Sequence, residues 1–341
     1  MNEQQFLDAL AKFAPSIRQA FIDAIQDVTD NVVLAQVVEA LERGDADGAW
    51  RALGVQQSVF NRIIAQMSIA FEQGALIVAS ALPKYLTDRS GIKSVFRFNI
   101  RDRRAEQWLQ NESSTLITAI EDDMRTAVRD AATQGLIEGR NPRNTALDIV
   151  GRINPVTGHR EGGLVGLTQQ QQMWARNTRQ KLLTLDESYF KLALRDKRFD
   201  GTVRKAIEEG RGLPTATIDK LVDRYRDNAL RARGEMIGRS ETLAALNRSE
   251  YEATMQALER SELPLAAATK AWDDAGDRRV RPSHSALAEI GPIPIDQPFV
   301  SPVTGARMMH PGDTSLGAGG DDVILCRCRL KYKVDFSYGV E

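Results

Sequence analysis

Cysteine is scarce in this sequence: Cys326 and Cys328 are the only two among 341 residues. Two cysteines one residue apart cannot provide the disulfide framework of a small secreted domain, and a bridge between them would strain an extended chain. This scarcity therefore excludes a disulfide-stabilised scaffold. It indicates a reducing compartment, which fits synthesis in a cytoplasm.

Net charge is almost absent as well, because 45 basic residues offset 46 acidic ones and leave −1. No overall field therefore draws the chain to nucleic acid. The charge is uneven, with an acidic first fifty residues and a basic excess over Arg176–Arg239. This asymmetry indicates either different neighbours for the two ends or ordinary solvated helix faces.

Long apolar runs are also missing. The longest one, Ala75–Leu82, is short and contains Ser80, so we expect no transmembrane span and no membrane anchor. The first ten residues lack the basic flank and apolar core of a signal peptide.

Sequence signatures of catalysis are absent too. The chain has no P-loop, no G-x-G-x-x-G fingerprint and no G-x-S-x-G nucleophile elbow. It also lacks the combination of H-x-E and P-C-x-x-C that zinc deaminases use. We therefore expect a protein that acts by binding and not as an enzyme.

What the sequence does contain is helical periodicity over its first two-thirds, beginning with Phe6, Leu10, Phe13, Ile17, Phe21 and Ile25. Longer helices are predicted over Val59–Leu82, over Ala105–Gly139 and over Ile218–Glu262, the last as one helix or a pair bent near Gly234–Gly238. Asn141-Pro142 predicts a capped helix start, and Thr168 with Gln171 predicts a capping box.

Beyond Pro264 the texture changes to short extended runs rich in Gly, Pro and Asp. We therefore predict a mainly α N-terminal body followed by a small α+β C-terminal module with a short antiparallel sheet. The expected domains are a helical body over 1–160, a second helical segment over 161–236 and the module over 237–341.

The last segment, Val323–Phe336, predicts a half-buried strand, because polar and apolar residues alternate from Cys326 onward. Both cysteines fall on its inner face. Its outer row consists of Arg327, Arg329, Lys331 and Lys333. That row could neutralise DNA phosphates without reading bases, as could the basic helix Arg224–Arg239. The simpler interpretation is a solvated row that protects a sheet edge.

A spaced set of motifs leads up to this strand. In order they are Ile237-Gly238-Arg239-Ser240-Glu241, Asn247, Trp272, Asp277, Arg281, His284, Gly291, Phe299, Pro311-Gly312-Asp313 and Cys326-Arg327-Cys328. The ordered set resembles the phage Mu F-like head-morphogenesis family of minor head proteins. Leu325 stands where that family often has Asn, and Gly238 and Ser240 stand where it often has Ala and Thr.

The resemblance implies a structural minor head protein of a tailed phage. Its expected partners are the portal protein, the inner surface of the major capsid protein and, without sequence preference, packaged double-stranded DNA. Its expected locations are the virion, in the capsid interior or at the portal vertex, and the host cytoplasm during assembly. The contrasting hypothesis is a metal-dependent enzyme or toxin-like effector carried on a phage head module.

Within the module we expect a structural cluster whose members are Arg239, Glu241, Trp272, Arg281, His284, Asp313, Cys326 and Cys328. Arg281 is expected to form a bidentate ion pair with Glu241 or Asp313.

A structural zinc ion is the expected cofactor if there is one, because Zn²⁺ accepts tetrahedral sets of Cys and His ligands. The candidate ligands are His284, Cys326 and Cys328, with His310 as a further ligand and Asp313 as an oxygen donor. C-x-C is a weaker signal than C-x₂-C, and the alternative is that both cysteines are small buried hydrophobes.

Overall fold

Helical periodicity is realised in the fold. The computed structural model, which describes residues 1–338, is mainly α-helical and carries its largest antiparallel sheet near the carboxyl end. The predicted fold class is therefore confirmed. The last three residues of the predicted module 237–341 lie outside the described residues.

The α-helices are α1 (Glu3–Asp30), α2 (Leu34–Glu42), α3 (Ala46–Ala52), α4 (Asn61–Ala81), α5 (Arg103–Ile137), α6 (Pro142–Val150), α7 (Gln169–Leu183), α8 (Asp200–Glu208), α9 (Thr215–Arg260), α10 (Pro282–Glu289) and α11 (Gly320–Val323). Short 3₁₀ helices span Gln57–Phe60, Glu187–Lys191, Lys197–Phe199 and Leu265–Ala267. The strands are β1 (Tyr85–Thr87), β2 (Lys93–Val95), β3 (Arg152–Ile153), β4 (Arg160–Glu161), β5 (Ala268–Asp273), β6 (Ile293–Pro294), β7 (Phe299–Val300), β8 (Arg307–Met308) and β9 (Arg329–Val334).

Both predicted caps are present, because each satisfies backbone N–H groups that a helix start leaves unpaired. Arg143 donates its backbone N–H to the Asn141 side chain at 2.9 Å, and Pro142 is the first residue of α6. Thr168 and Gln171 exchange side-chain and backbone hydrogen bonds in a capping box at the start of α7.

The α9 helix is a single helix of 46 residues, so the predicted alternative of two helices is wrong. Gly238 lies near the middle of α9, where it allows close packing against α1 and does not mark a break in the helix. A Cβ atom on Gly238 would lie 2.4 Å from the Ala14 carbonyl oxygen of α1. A side chain at this position would therefore push the two helices apart.

Contacts group the chain into two compact units that are not consecutive in sequence. Unit 1 comprises Met1–Gln19, Ile63–Ser113 and the chain from Glu235 onward, and unit 2 comprises Ala20–Arg62 and Ser114–Gly234. This grouping differs from the three consecutive domains expected above. Three long helices, α1, α5 and α9, each contribute residues to both units, and local composition carries no signal of a boundary inside a helix.

Unit 1 holds the candidate functional residues. Its main apolar cluster joins side chains of α1, α4, α5 and α9 with those of the C-terminal module, among them Phe6, Phe71, Trp108, Leu246 and Trp272. Its sheet has the order β6-β5-β9, and all pairs are antiparallel. Burial alternates along β5, so that Ala268, Lys270 and Trp272 point inward.

Unit 2 is helical with one short hairpin, β3–β4. Its own apolar cluster includes Leu182, Tyr189, Val203, Ile218 and Val222. It thus has a core separate from that of unit 1.

The strand predicted over Val323–Phe336 is shorter than expected. Residues Gly320–Val323 form α11, and only Arg329–Val334 pair as β9. The interruption occurs at Leu325, whose φ of +55° lies in the left-handed region that strands do not use. Alternation of burial survives, however: Cys326, Cys328 and Leu330 are buried.

One helix, Gln57–Ala81 with its 3₁₀ start, is long and apolar enough to cross a membrane by length and composition alone. This differs from the expectation that no such segment exists. Core helices pass the same test, and Met67, Ala70 and Phe71 of this helix are fully buried in the fold.

Candidate metal centre

Three side chains from two separate segments meet in the C-terminal module. His284 lies in α10, which Pro282 starts at the first helical position. Its Nδ1 is 3.4 Å from the Cys326 Sγ and 3.4 Å from the Cys328 Sγ. All three potential ligand atoms lie within 4.8 Å of one another. We call these three residues the sulfur group.

The spacing in the sulfur group suits a soft metal ion. In a tetrahedral zinc site, Zn–S bonds of about 2.3 Å and Zn–N bonds of about 2.0 Å place neighbouring sulfur and nitrogen ligands about 3.5 Å apart. The two observed S–N distances are close to that value. The group can therefore accept a metal ion with little movement, and a possible metal-binding set is present as predicted.

The sulfur group is almost completely buried from solvent. His284, Cys326 and Cys328 are exposed by only 1%, 4% and 2%. The indole of Trp272 packs edge-on against the His284 ring at 5.3 Å, and Phe299 packs against the other side of Trp272 at 5.3 Å. This apolar wall keeps water from the ligand atoms.

The other ring nitrogen of His284 faces a carboxylate. Asp322 Oδ1 lies 3.9 Å from His284 Nε2 and accepts a hydrogen bond from Ser283 Oγ at 3.1 Å. The separation is too long for a hydrogen bond, and Nε2 is buried without a hydrogen-bond partner among the described residues. A proton on Nε2 would leave the Nδ1 lone pair facing the two sulfurs, and carboxylates that accept this proton orient metal-binding histidines in many sites.

The backbone of the cysteine segment is held by α9. Ser240 Oγ accepts the backbone N–H of Leu325 at 3.1 Å, and Asn247 Nδ2 donates to the Cys328 carbonyl at 3.3 Å. Both partners belong to the motif set found in the sequence. They fix the turn that aims both sulfurs at His284, within which the Cys328 N–H lies 3.4 Å from the Cys326 Sγ.

The two thiols are electrostatically unequal. The hydrogen bond between the sulfurs is the main cause that lowers the pKa of Cys326, and it also raises the pKa of Cys328. Of the two thiols, Cys326 is therefore the more readily ionised.

Arg281 does not form the predicted ion pair with Glu241 or Asp313. Its guanidinium donates to the Ile324 carbonyl instead. The prediction failed because the α10 start places Arg281 next to the cysteine segment, where an unpaired backbone carbonyl is the nearest acceptor. Arg281 thus borders the sulfur group and braces the turn before Cys326.

His310 is not part of the sulfur group, so its prediction as a further ligand is wrong. Its Nδ1 faces the Pro311 carbonyl at 3.1 Å. Asp313 is not near the sulfurs as a donor either, because it accepts the backbone N–H groups of Met309 and Ser315 at 2.7 and 2.9 Å. These bonds close the Pro-Gly-Asp turn, which packs Gly312 against α9.

A second set of ionisable residues lies elsewhere in unit 1, and we call it the acidic group: the half-buried Glu112 and Glu241 and the buried His310 and Asp313. Burial and then the charge of Glu112 raise the pKa of Glu241 to about 8. Burial and then the charge of Asp313 raise the pKa of Glu112 to about 7. The Glu241 Oε2 atom is buried without a hydrogen-bond partner.

The other two members of the acidic group are His310 and Asp313, and their pKa values are both lowered. Burial lowers the pKa of His310 to about 4, against the opposing charge of Asp313. Burial works against ionisation of Asp313, yet His310 and the hydrogen bonds from Ser315 and Met309 leave its pKa lowered.

The side chain of Arg239, predicted as a member of the structural cluster, is half-buried and has no hydrogen bond or ion pair within residues 1–338.

Sequence reasoning missed a buried lysine. Lys270 Nζ donates to the Met309 carbonyl at 2.9 Å and lies 5.5 Å from the Phe299 ring centroid. Burial lowers the pKa of Lys270 to about 8. The period-two pattern of β5 could have shown it, because Lys270 lies between the inward-facing Ala268 and Trp272. No sequence signal pointed to Glu112, Ser283 or Asp322.

The predicted DNA-contacting row is largely neutralised from within the module. Arg327 forms a bidentate pair with Asp277 at 2.6 and 2.7 Å. Arg329 and Lys331 both pair with Asp273 at 2.6 Å. Lys333 alone of the four has no ion pair among the described residues.

The basic helix predicted over Arg224–Arg239 is compensated in a similar way within unit 2. Arg224 pairs with Glu161, Arg226 with Asp148 and Asp223, and Arg233 with Asp123. Much of the basic charge that suggested DNA contact thus belongs to internal ion pairs.

No protein-family description, no curated protein and no solved structure matches this chain. The resemblance found in the motifs therefore stays a prediction.

Proposed function

We propose that this chain is a structural minor head protein of a tailed phage that docks on the portal or the inner capsid surface. One observation supports the proposal above others: the separated motifs converge. Ser240 and Asn247 hold the segment whose sulfurs face His284, and Trp272 covers that histidine. An ordered motif set that closes one module suits a protein that acts by binding in an assembly.

We further propose that the sulfur group holds a structural zinc ion. The module has a small sheet and many turns, and a metal would link α10 to the chain before β9. Zinc would supply folding free energy there and hold His284 next to Trp272. His284, Cys326 and Cys328 would be its ligands.

The composition of the site favours a structural role over catalysis. Catalytic zinc sites keep an open position for water and place a general base beside it. Here all three side chains are buried. The one carboxylate close to the group, Asp322, lies on the far side of the imidazole from the sulfurs.

The experiment for the head-protein proposal is analysis of purified virions. We expect mass spectrometry of gradient-purified particles to detect this polypeptide in few copies, and cross-linking to join it to the portal or the major capsid protein. Particles that lack the polypeptide altogether would contradict the proposal. The genomic neighbourhood gives a second readout, since portal and capsid genes are expected beside it.

The experiment for zinc is metal analysis of the protein purified from zinc-supplemented cells. We expect about one zinc per chain, lost in Cys326→Ser and in His284→Ala. The matched control is His159→Gln, which changes an exposed histidine of unit 2 and should retain zinc. Equal zinc in all three variants would refute the assignment.

One observation keeps the enzyme or effector alternative in view: three protein ligands are the number that catalytic zinc sites use. That alternative predicts metal-dependent turnover that disappears in His284→Ala while the fold stays intact. Our proposal predicts that this variant unfolds at lower temperature and that wild-type protein shows no turnover.

A further inference from the structure

In unit 1, a group of basic side chains without ion pairs lies in the segment 84–103. This segment contains β1, β2 and the connection to α5. It has six basic residues and two acidic ones. The six are Lys84, Arg89, Lys93, Arg97, Arg101 and Arg103, and all are exposed. None of these six side chains forms a hydrogen bond or ion pair with any residue in the described part of the chain.

The backbone of this segment is held in place. Asp88 accepts the Ile92 backbone N–H at 2.9 Å and thereby closes the hairpin turn. Gln256 of α9 clamps Asn99, accepting its backbone N–H at 2.8 Å and donating to its carbonyl at 3.0 Å. Leu86 is buried, and Phe98 packs on Phe71 with ring centroids 6.1 Å apart.

This anchoring gives the segment an outward row. From residue 93 to residue 103 every odd-numbered residue is exposed, whereas Ser94, Phe96, Phe98 and Ile100 are half-buried. The outward row reads Lys93, Val95, Arg97, Asn99, Arg101 and Arg103. It therefore carries four cations and one apolar side chain.

The contrast with the terminal strand is direct. Arg327, Arg329 and Lys331 are paired with aspartates, so binding phosphate there would require breaking ion pairs. The cations of segment 84–103 have no such partner. Their charge is free to replace the counterions of a polyanion.

We propose that segment 84–103 is a nucleic-acid-binding surface that contacts the phosphate backbone of double-stranded DNA without reading base sequence. The row supplies charge but no amide or carboxylate array directed at base edges, and Tyr85, which lies outside the row, is the one exposed aromatic residue of the segment. A lipid surface fits less well, because a membrane-binding face needs a continuous apolar side, whereas the exposed apolar side chains of the segment, Tyr85, Ile92 and Val95, are separated in sequence by polar and basic residues.

The inference goes beyond the proposed function by adding a DNA-binding surface, and the binding itself does not depend on a role in the phage head. Failure of DNA binding would leave docking on portal or capsid untouched. Absence from virions would leave DNA binding by the purified protein testable.

The test is binding of the full-length protein to a random-sequence DNA duplex at several salt concentrations. The variant is Arg89→Gln, Lys93→Gln, Arg97→Gln and Arg101→Gln combined. Each lost phosphate contact should reduce the slope of log K against log [salt] by about 0.9, so we expect a fall of about 3 to 4 and at least a tenfold loss of affinity near 0.1 M salt.

The matched control neutralises four exposed cations of unit 2: Lys191, Lys197, Arg211 and Lys220. Circular dichroism and thermal unfolding check that both combinations fold. Equal loss in the two would overturn the proposal, because it would show a net-charge effect. No duplex binding by wild-type protein at 50 mM salt, or preference for phosphatidylserine vesicles over duplex, would overturn it as well.

Discussion

Unit 1 withdraws two sets of ionisable side chains from solvent, wholly in the sulfur group and partly in the acidic group, and the two are built in opposite ways. The sulfur group brings two thiols and an imidazole to within ligand distance, so a cation can neutralise and join them. The acidic group places the half-buried Glu112 and Glu241 where their charges repel, which favours their protonated forms. A buried set of polar side chains therefore indicates a binding site when its geometry suits one particular ion, as in the sulfur group.

The largest effect should come from removing a ligand of the sulfur group. We expect zinc in hundredfold excess over its dissociation constant to add about 2.7 kcal/mol to the free energy of unfolding of the wild-type protein. Cys328→Ala should abolish this increment. Thermal unfolding with zinc and with a chelator measures it, and His159→Gln serves as the control. A zinc-induced increment that survives in Cys328→Ala would break the comparison.

The next effect concerns Lys270, which links β5 to the Met309 carbonyl. Lys270→Ala should cost about 2 kcal/mol, because it opens a cavity beside the Tyr251 and Phe299 rings and leaves the Met309 carbonyl unpaired. Urea unfolding measures the loss. Lys333→Ala, at an exposed position on β9, should change stability by less than about 0.5 kcal/mol. Similar costs for both would contradict the buried anchor.

The acidic group should make stability depend on pH. The pKa values of Glu241 and Glu112 are raised above the ordinary 4.5, to about 8 and about 7. The folded state therefore holds protons that the unfolded state releases. This stabilisation is complete below pH 4.5 and is lost as pH rises to about 8.

Glu241→Gln should remove much of that loss, so that the variant exceeds wild type at pH 8 by about 1 to 3 kcal/mol. Unfolding at pH 5 and at pH 8 measures the difference. Glu106→Gln, an exposed position on the same helix as Glu112, should leave the pH dependence unchanged. An equal pH dependence in Glu241→Gln and in wild-type protein would speak against the assignment. The buried His310, whose pKa is lowered to about 4, favours the folded state as pH rises and acts on both proteins alike.

The smallest effect concerns the strained residue beside the sulfur group. Leu325 adopts φ of +55°, a conformation that Asn tolerates better than other side chains and Gly adopts freely. Leu325→Asn should raise stability by about 0.5 to 1 kcal/mol. Leu316→Asn, at a similarly exposed leucine, should not. A loss of stability in Leu325→Asn would show that its side chain contributes packing that outweighs the strain.

Much of the fold could be predicted from local sequence patterns. The apolar period, the Asn141-Pro142 start and the Thr168 capping box depend on residues close in sequence, so they could be predicted. The sulfur group could be predicted in part, because alternation places Cys326 and Cys328 on one face. Its third member, His284, came from the motif set.

Several of the failures involve partners distant in sequence. Arg281 could have met several acceptors, and only the fold shows that the Ile324 carbonyl is the nearest. The pairing of Arg327 with Asp277 depends on a turn whose course the sequence does not specify. The unit boundaries lie inside long helices, where composition does not change.

The most direct test of the central claim is zinc X-ray absorption spectroscopy on the purified wild-type protein. We predict a tetrahedral zinc site with two sulfur neighbours at about 2.3 Å and a histidine nitrogen at about 2.0 Å. Zinc bound only by nitrogen and oxygen, or no zinc retained by the folded protein, would contradict it.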